Sequence, residues 1–296
     1  MPSSWAVSYP VSAMTEQKRR RIAYLGPPGT FTEEAAILYA PQAEHIPCKS
    51  PGAVAQAVTS GMADEGIIAI ENSLEGAVAD NLDLLIHETH LSICYEVVLP
   101  IVQCLLGKPG TRMEDIQTIS SHPQALGQCR RFIEQRLPKA QVKAALSTSA
   151  AVEQMLSEEH GAAIANRRAA QLYGAEILVE GVQDSASNET RFVVLAKADH
   201  EPTGHDKTSL CFAFTEDRAG ILVGVMQAFS SRGISLAKIE SRPSKESLGK
   251  YIFLVDLEGH RLDPPVKAAL EEVVQQTDPH RFKIFGSYPR YNGRPS

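Results

Sequence analysis

From residue 22 to about residue 196, short apolar runs alternate with stretches of helical periodicity. Ile22-Ala23-Tyr24-Leu25 reads as a buried strand that passes through a Gly/Pro turn into a helical pattern over residues 32–39. Ser50-Pro51-Gly52 opens a second helix to about residue 60, residues 66–70 form a strongly apolar strand, and residues 78–88 are helical again. Two extended runs, 93–98 and 101–106, then follow one another with only Pro100 at their junction. Adjacent strands without an intervening helix predict a crossing between two subdomains. The alternation resumes with strands at 116–120, 141–146, 161–165 and 177–179 and helices at 123–137, 149–158 and 166–173. The apolar run 192–196 follows a second crossing, so the pattern predicts two α/β lobes around a cleft, joined by a hinge of two strands.

Composition changes at residues 198–207, a polar stretch that reads as a linker. Beyond it the pattern predicts a strand at 208–214, a helix at 219–232, strands at 235–241 and 250–257, a helix at 264–275 and a strand at 282–288. That order is βαββαβ, the ferredoxin-like arrangement. A domain of this size has an open sheet edge and a small core, and pairing with a second copy satisfies both. The expected organisation is a disordered leader at 1–20, with Met14 an alternative start, a two-lobed domain at 21–198, a linker at 199–207, a smaller domain at 208–289 and a tail at 290–296.

A formal charge of -6 with scattered basic residues gives no footprint for nucleic acid. The five cysteines are widely spaced, with no CxxC among them, and read as free thiols of a reducing compartment. No secretory signal and no run of about 20 apolar residues is present, so the cytoplasm is the expected location and no membrane is implicated.

The candidate chemistry lies where strands end. Gly26-Pro27-Pro28-Gly29-Thr30-Phe31, Glu71-Asn72-Ser73 with Glu75-Gly76, Ser121-His122-Pro123-Gln124 and Ser147-Thr148-Ser149 each stand at the C-terminal end of a strand before a helix. In open α/β sheets that edge is where ligands bind. A fifth cluster, Ser187-Asn188-Glu189-Thr190-Arg191, precedes the run 192–196. Each cluster alone is an ordinary capped turn. Together they offer hydroxyls, amides and helix N-termini, which suit a small polyanion and offer little to a metal. His122 before Pro123 reads as a cap, and His87 and His90, with no third ligand, read as surface residues.

These five motifs, in this order, resemble the motif series of prephenate dehydratase. The C-terminal region resembles an ACT regulatory domain through Asp217-Arg218-Ala219-Gly220-Ile221-Leu222 and Glu240-Ser241-Arg242-Pro243. The resemblance spans residues 21 to about 289. It implies a two-lobed catalytic domain resembling the type II periplasmic-binding fold, and an enzyme of L-phenylalanine biosynthesis that converts prephenate to phenylpyruvate with loss of water and carbon dioxide. Aromatisation drives that reaction, so no cofactor is expected. Only about 20 residues precede the first strand, which fits a chain without an attached chorismate mutase.

By resemblance Thr190 is the residue essential for activity, as a hydrogen-bond donor to the departing oxygen, and Glu71 is the candidate proton source if buried and protonated. Substrate binding falls to Thr30, Asn72, Ser73, Ser121, Ser147, Thr148, Ser149 and Asn188. Arg191 is either their counter-charge or a structural ion pair. The ACT resemblance implies phenylalanine as an allosteric effector at a dimer interface, held by Asp217, Gly220, Ile221, Leu222, Glu240, Ser241, Arg242 and Pro243. Ile221 stands where the family usually has alanine. A dimer or tetramer is expected. The competing expectations are arogenate dehydratase and a non-enzymatic amino-acid sensor.

Overall fold

The computed structural model describes residues 19–293 other than Asp217 and Leu248, so most of the leader and one expected effector residue, Asp217, lie outside the described residues. The first apolar run forms β1 (Arg21–Leu25), and Thr30 caps α1 (Phe31–Tyr39) by accepting a hydrogen bond from the Glu33 amide. β2 (Glu44–Cys48) follows, a strand the apolar pattern does not show because it is a half-exposed sheet edge carrying Pro47. Ser50 and Pro51 start α2 (Pro51–Thr59), which leads to β3 (Glu65–Asn72) and the two-residue β4 (Gly76–Ala77). The helical stretch predicted at 78–88 is split into α3 (Ala79–Asp83) and a π turn (Leu84–Glu88) before β5 (Ser92–Pro100).

The second lobe runs through β6 (Cys104–Gly107), β7 (Thr118–Ser121), α4 (Pro123–Gln128), α5 (Arg130–Arg136), β8 (Gln141–Ala144), α6 (Thr148–Ser157), β9 (Gly161–Ala165), α7 (Arg167–Tyr173) and β10 (Glu176–Glu180). The single helix expected at 123–137 is broken at Cys129. Asp184 causes the break from outside: its amide donates to the Gln128 carbonyl at 2.6 Å, and its carboxylate accepts from the Arg131 amide at 3.2 Å. The chain then returns as β11 (Glu189–Ala196), which inserts antiparallel between β3 and β5. The first sheet is thus ordered β2-β1-β3-β11-β5 and the second β10-β6-β9-β7-β8. The two crossings expected from sequence are the β5–β6 and β10–β11 connections.

The C-terminal domain comprises β12 (Asp206–Ala213), α8 (Ile221–Ser230), β13 (Leu236–Pro243), β14 (Tyr251–Glu258), α9 (Pro264–Gln276) and β15 (Lys283–Pro289), in the antiparallel sheet order β13-β14-β12-β15. Its helices cover one face around Phe212, Phe229, Val255 and Val273. The other face is not exposed. Cys211, Ile252, Leu254 and Phe285 join Val58, Ile68, Ile93 and Val193 of the first lobe in one continuous apolar core. At the closest point Gly286, at φ +153°, lies against β5, where an added Cβ would overlap the Ile93 carbonyl and stand 2.8 Å from its nitrogen. The polar stretch 199–207 is tied down as well: Asp199 pairs with Arg261 at 2.8 Å and accepts from the Ser287 amide at 3.0 Å.

Beside this apolar core lies a buried charge cluster. Arg191 of β11 donates to Glu96 of β5 at 2.8 Å, to Asp256 of β14 at 2.5 Å and to the Tyr288 hydroxyl of β15 at 2.7 Å. Lys207 adds two 2.9 Å contacts to Glu96. Burial alone would raise the Asp256 pKa, but Arg191, with the hydrogen bond from Ser209, holds it below the ordinary carboxylate value. A carboxylate depressed in the folded state contributes stability above its unfolded pKa of about 3.9 and loses it as pH falls toward the folded value. The melting temperature is therefore expected to drop below about pH 4, with a shallower drop in Asp256→Asn. Calorimetry between pH 6 and 3 checks both.

Candidate active site

A cleft of about 280 Å³ opens between the two lobes. β3 and β11 supply Asn72 and Thr190, which stand opposite one another across the ladder. The N-terminal ends of α1, α4 and α6 supply Thr30, His122 and Ser147 with Thr148. Thr30, His122 and Ser147 also cap their helices, accepting from the amides of Glu33, Gln124 and Ala150. The preceding first-turn amides have no intrahelical acceptor, so the ends of α1 and α6 present unpaired N–H groups and positive dipole ends near the cleft. No lysine or arginine is among the described residues lining it, and His122 is the one titratable side chain there. An anion in this cleft is met by amides, hydroxyls and helix ends.

The Asn72 side chain fixes the polarity of the polar lining. Its Oδ1 accepts from the amides of Leu74 and Glu75 at 3.0 and 3.1 Å, which assigns Nδ2 as the group facing Asn188 Oδ1 (2.8 Å) and Thr190 Oγ1 (2.9 Å). Asn188 then donates to Gln128 Oε1 at 3.0 Å, and Gln128 Nε2 donates to the Glu75 carboxylate at 3.1 Å. The result is a closed ring of oriented amides that joins the first lobe to α4 of the second. Because Thr190 Oγ1 accepts from Asn72, its own proton is free for a ligand, and donating to a hydroxyl oxygen strengthens that hydroxyl as a donor. On another side of the lobe interface Arg168 of α7 grips Glu33 of α1 with bonds of 3.2 and 3.0 Å, and Asn166 donates to Glu34 at 3.0 Å.

Of the residues expected from sequence, Thr30, Asn72, Ser147, Thr148 and Thr190 line the cleft. Asn188 lies just behind it, 2% exposed, and acts through Asn72. Ser73, Ser121 and Ser149 do not line it. Ser73 Oγ donates to the Ser187 carbonyl and accepts from the Glu189 amide, pinning the crossing, and Ser121 Oγ donates to the Ile164 carbonyl at 2.6 Å inside the second lobe. Ser149 is fully buried under Gly29.

Glu71 is the larger correction, and for Arg191 the geometry favours the second of its two expected readings, the structural ion pair. Successive strand residues face opposite sides, so where Asn72 and Thr190 face the cleft, their neighbours face the C-terminal domain. Glu71 meets Lys238 at 3.0 Å and Arg191 at 3.6 Å, and neither Glu71 nor Arg191 lines the cleft. Gln128 was not expected. It stands four residues after Gln124 on α4, and that spacing on one helix face is the signal that marks it.

The second cavity, about 450 Å³, lies wholly in the C-terminal domain. Gly220, Ile221 and Leu222 line it with Arg218, Tyr251, Phe253 and Arg281. Glu240, Ser241 and Arg242 do not. Glu240 is held by Lys238 at 3.1 Å, and Arg242 reaches Asp83 at 3.4 Å and the Ala79 carbonyl at 3.3 Å in the first lobe. Pro243 borders a smaller adjoining cavity that shares Gly249, Lys250 and Tyr251 with the larger one.

The sequence profile of prephenate dehydratase matches residues 22–200, and that of the ACT domain matches residues 210–275. The bifunctional chorismate mutase/prephenate dehydratase of Aquifex aeolicus is 40% identical over 94% of this chain and 76% of its own length. The chloroplastic arogenate dehydratase 5 of Arabidopsis thaliana is 39% identical over 91% of this chain and 67% of its own length. A crystal structure of prephenate dehydratase from Arthrobacter aurescens in complex with L-Phe is similar with a TM-score of 0.84 at 35% identity, covering 93% of this chain and 92% of that one.

Proposed function

The chain belongs to the prephenate dehydratase family and carries an ACT domain, and from that membership and the cleft we infer how it converts prephenate to phenylpyruvate. The observation that carries the mechanism is the Thr190 hydroxyl, held by Asn72 as an acceptor and free to donate into the cleft. Prephenate brings two carboxylates and a ring hydroxyl. The helix ends of α1 and α6 bind the carboxylates through backbone amides with Thr30 and Thr148. The bond from the ring to its carboxylate breaks, the electron pair completes the aromatic ring, and the ring hydroxyl departs opposite it. One proton is consumed, and carbon dioxide, water and phenylpyruvate are released.

Thr190 donates its hydrogen bond to the departing oxygen, where negative charge develops. A threonine hydroxyl is too weak an acid to surrender its proton outright, so the hydroxide leaves to solvent and the one proton consumed comes from the bulk solution. The cleft admits water at its rim, where Leu146 is 95% exposed. No metal or organic cofactor has a part in this scheme.

L-Phenylalanine is the effector we assign to the cavity at the start of α8, where Arg218 and Arg281 suit a carboxylate and Phe214 and Phe253 suit an aromatic ring. Glu240 and Ser241 lie apart from that cavity within one chain, which favours a second copy completing the site and a dimer or a tetramer in solution. No helix among the described residues is long and apolar enough to cross a membrane. Membership of a biosynthetic enzyme family supports a cytoplasmic location.

Arogenate is the second substrate to consider, because the chain is 39% identical to an arogenate dehydratase and 40% identical to a bifunctional chorismate mutase/prephenate dehydratase. Offering the purified chain both compounds decides the matter. Prephenate is expected to give phenylpyruvate with the higher kcat/KM. A higher kcat/KM for phenylalanine formed from arogenate would reassign the substrate, and no turnover of either would remove the mechanism.

A further inference from the structure

Two adjacent cross-strand pairs sit side by side on β3 and β11. Asn72 and Thr190 form one and face the cleft, while Glu71 and Arg191 form the other and face the ACT domain. The ladder shifts register immediately after Arg191, so backbone pairing is irregular at the point where Thr190 must be aimed. Side chains of the ACT domain hold the second pair. Arg191 is bound by Asp256 and Tyr288, and Glu71 by Lys238. Asp256 has both oxygens engaged, one by Arg191 and one by Ser209, and Ser209 also bonds Tyr288. These contacts form a closed, buried network one residue away from the cleft.

The same strands reach the effector cavity. Tyr251 and Phe253 of β14 line it, five and three residues before Asp256, and Ala213 of β12 lines it, four residues after Ser209. Arg281 lies two residues before β15, which carries Tyr288. A ligand that displaces β14 or β15 at the cavity therefore displaces the groups that hold Arg191.

We propose that Asp256 and Tyr288 are positioning residues for the dehydration, setting the direction of the Thr190 hydroxyl through Arg191, and that an effector in the ACT cavity alters turnover through these contacts. The second half rests on the reading of that cavity as an amino-acid site. The first half does not. It makes the ACT domain a structural part of the active site as well as its regulator.

The test uses Asp256→Asn and Tyr288→Phe in the full chain, with kcat, KM and the melting curve measured for each. In Asp256→Asn, kcat is expected to fall about tenfold or more with KM within about twofold. Tyr288→Phe should shift kcat in the same direction by less, while both variants keep a cooperative melt. Native kcat in either folded variant overturns the positioning role, and so does a joint change of kcat and KM that merely follows lost stability. Titrating L-phenylalanine, with binding measured by calorimetry, tests the coupling. Asp256→Asn should still bind it and be inhibited less than the parent chain, whereas equal inhibition overturns the coupling. If the parent chain binds no phenylalanine, the effector assignment and the coupling fall together, and the kcat and KM values still decide the positioning role.

Discussion

Replacing Thr190 with alanine is expected to lower kcat about 10²–10³-fold, the usual cost of removing one donor to a developing oxyanion. KM should change little, because in the proposed binding mode the carboxylates are held by helix ends that the substitution does not touch. Folding should also survive. Thr190 is 9% exposed, and losing its hydroxyl leaves Asn72 Nδ2 with Asn188 and the Glu189 carbonyl as acceptors. Thr190→Ser, which keeps the hydroxyl, should retain most of the rate. Steady-state formation of phenylpyruvate, with a melting curve for each variant, separates the outcomes. A Thr190→Ala variant with near-native kcat would show that the departing oxygen is stabilised elsewhere.

The second large effect is expected far from the cleft. Gly286→Ala places a Cβ into the backbone of Ile93 and forces an L side chain to a φ of +153°. Overpacking of this kind costs about 1–3 kcal/mol, and the strained backbone adds about 1–3 kcal/mol more. At this chain length a loss of that size lowers Tm by roughly 5–15 °C. Since the contact lies between β15 and β5, the early loss should be of ACT docking, seen as faster hydrogen exchange in β5 and β15 before the second lobe responds. An unchanged Tm would mean that the two strands do not approach so closely in solution.

Much of this was legible in the sequence. The ferredoxin-like order of the C-terminal domain and the two crossings follow from the apolar pattern, because the strands there, apart from the half-exposed edge strand β13, are buried on at least one face. The cleft residues Thr30, Ser147 and Thr148 were legible because a cap at a strand-to-helix junction fixes where a side chain sits. Parity along a strand could have said more. Thr190 and Arg191 cannot both face one cleft, nor can Glu71 and Asn72, and the motif that groups them in sequence divides them in space.

What the sequence did not carry depends on distant partners. Nothing local to Cys129 marks a helix break, since Asp184 imposes it from the β10–β11 connection. The polar stretch 199–207 reads only as a linker, yet Asp199 and His200 fasten it to the ACT domain. Docking of the ACT sheet was hidden for a related reason. Its inward residues alternate with polar ones like those of any sheet with one solvated face, and only the partner surface shows that this face is covered.

The insertion of β11 between β3 and β5 bears on the order in which the chain can fold as it is synthesised. β5 ends at Pro100, and the strand that must pair with it begins at Glu189, after the whole second lobe has been made. The second lobe is continuous in sequence and can close on the ribosome, whereas the first waits with the edges of β3 and β5 unpaired until its missing strand emerges. The hydroxyl we propose as donor to the departing oxygen therefore belongs to the last strand of its domain to be made, and no chain that stops short of β11 can assemble the site.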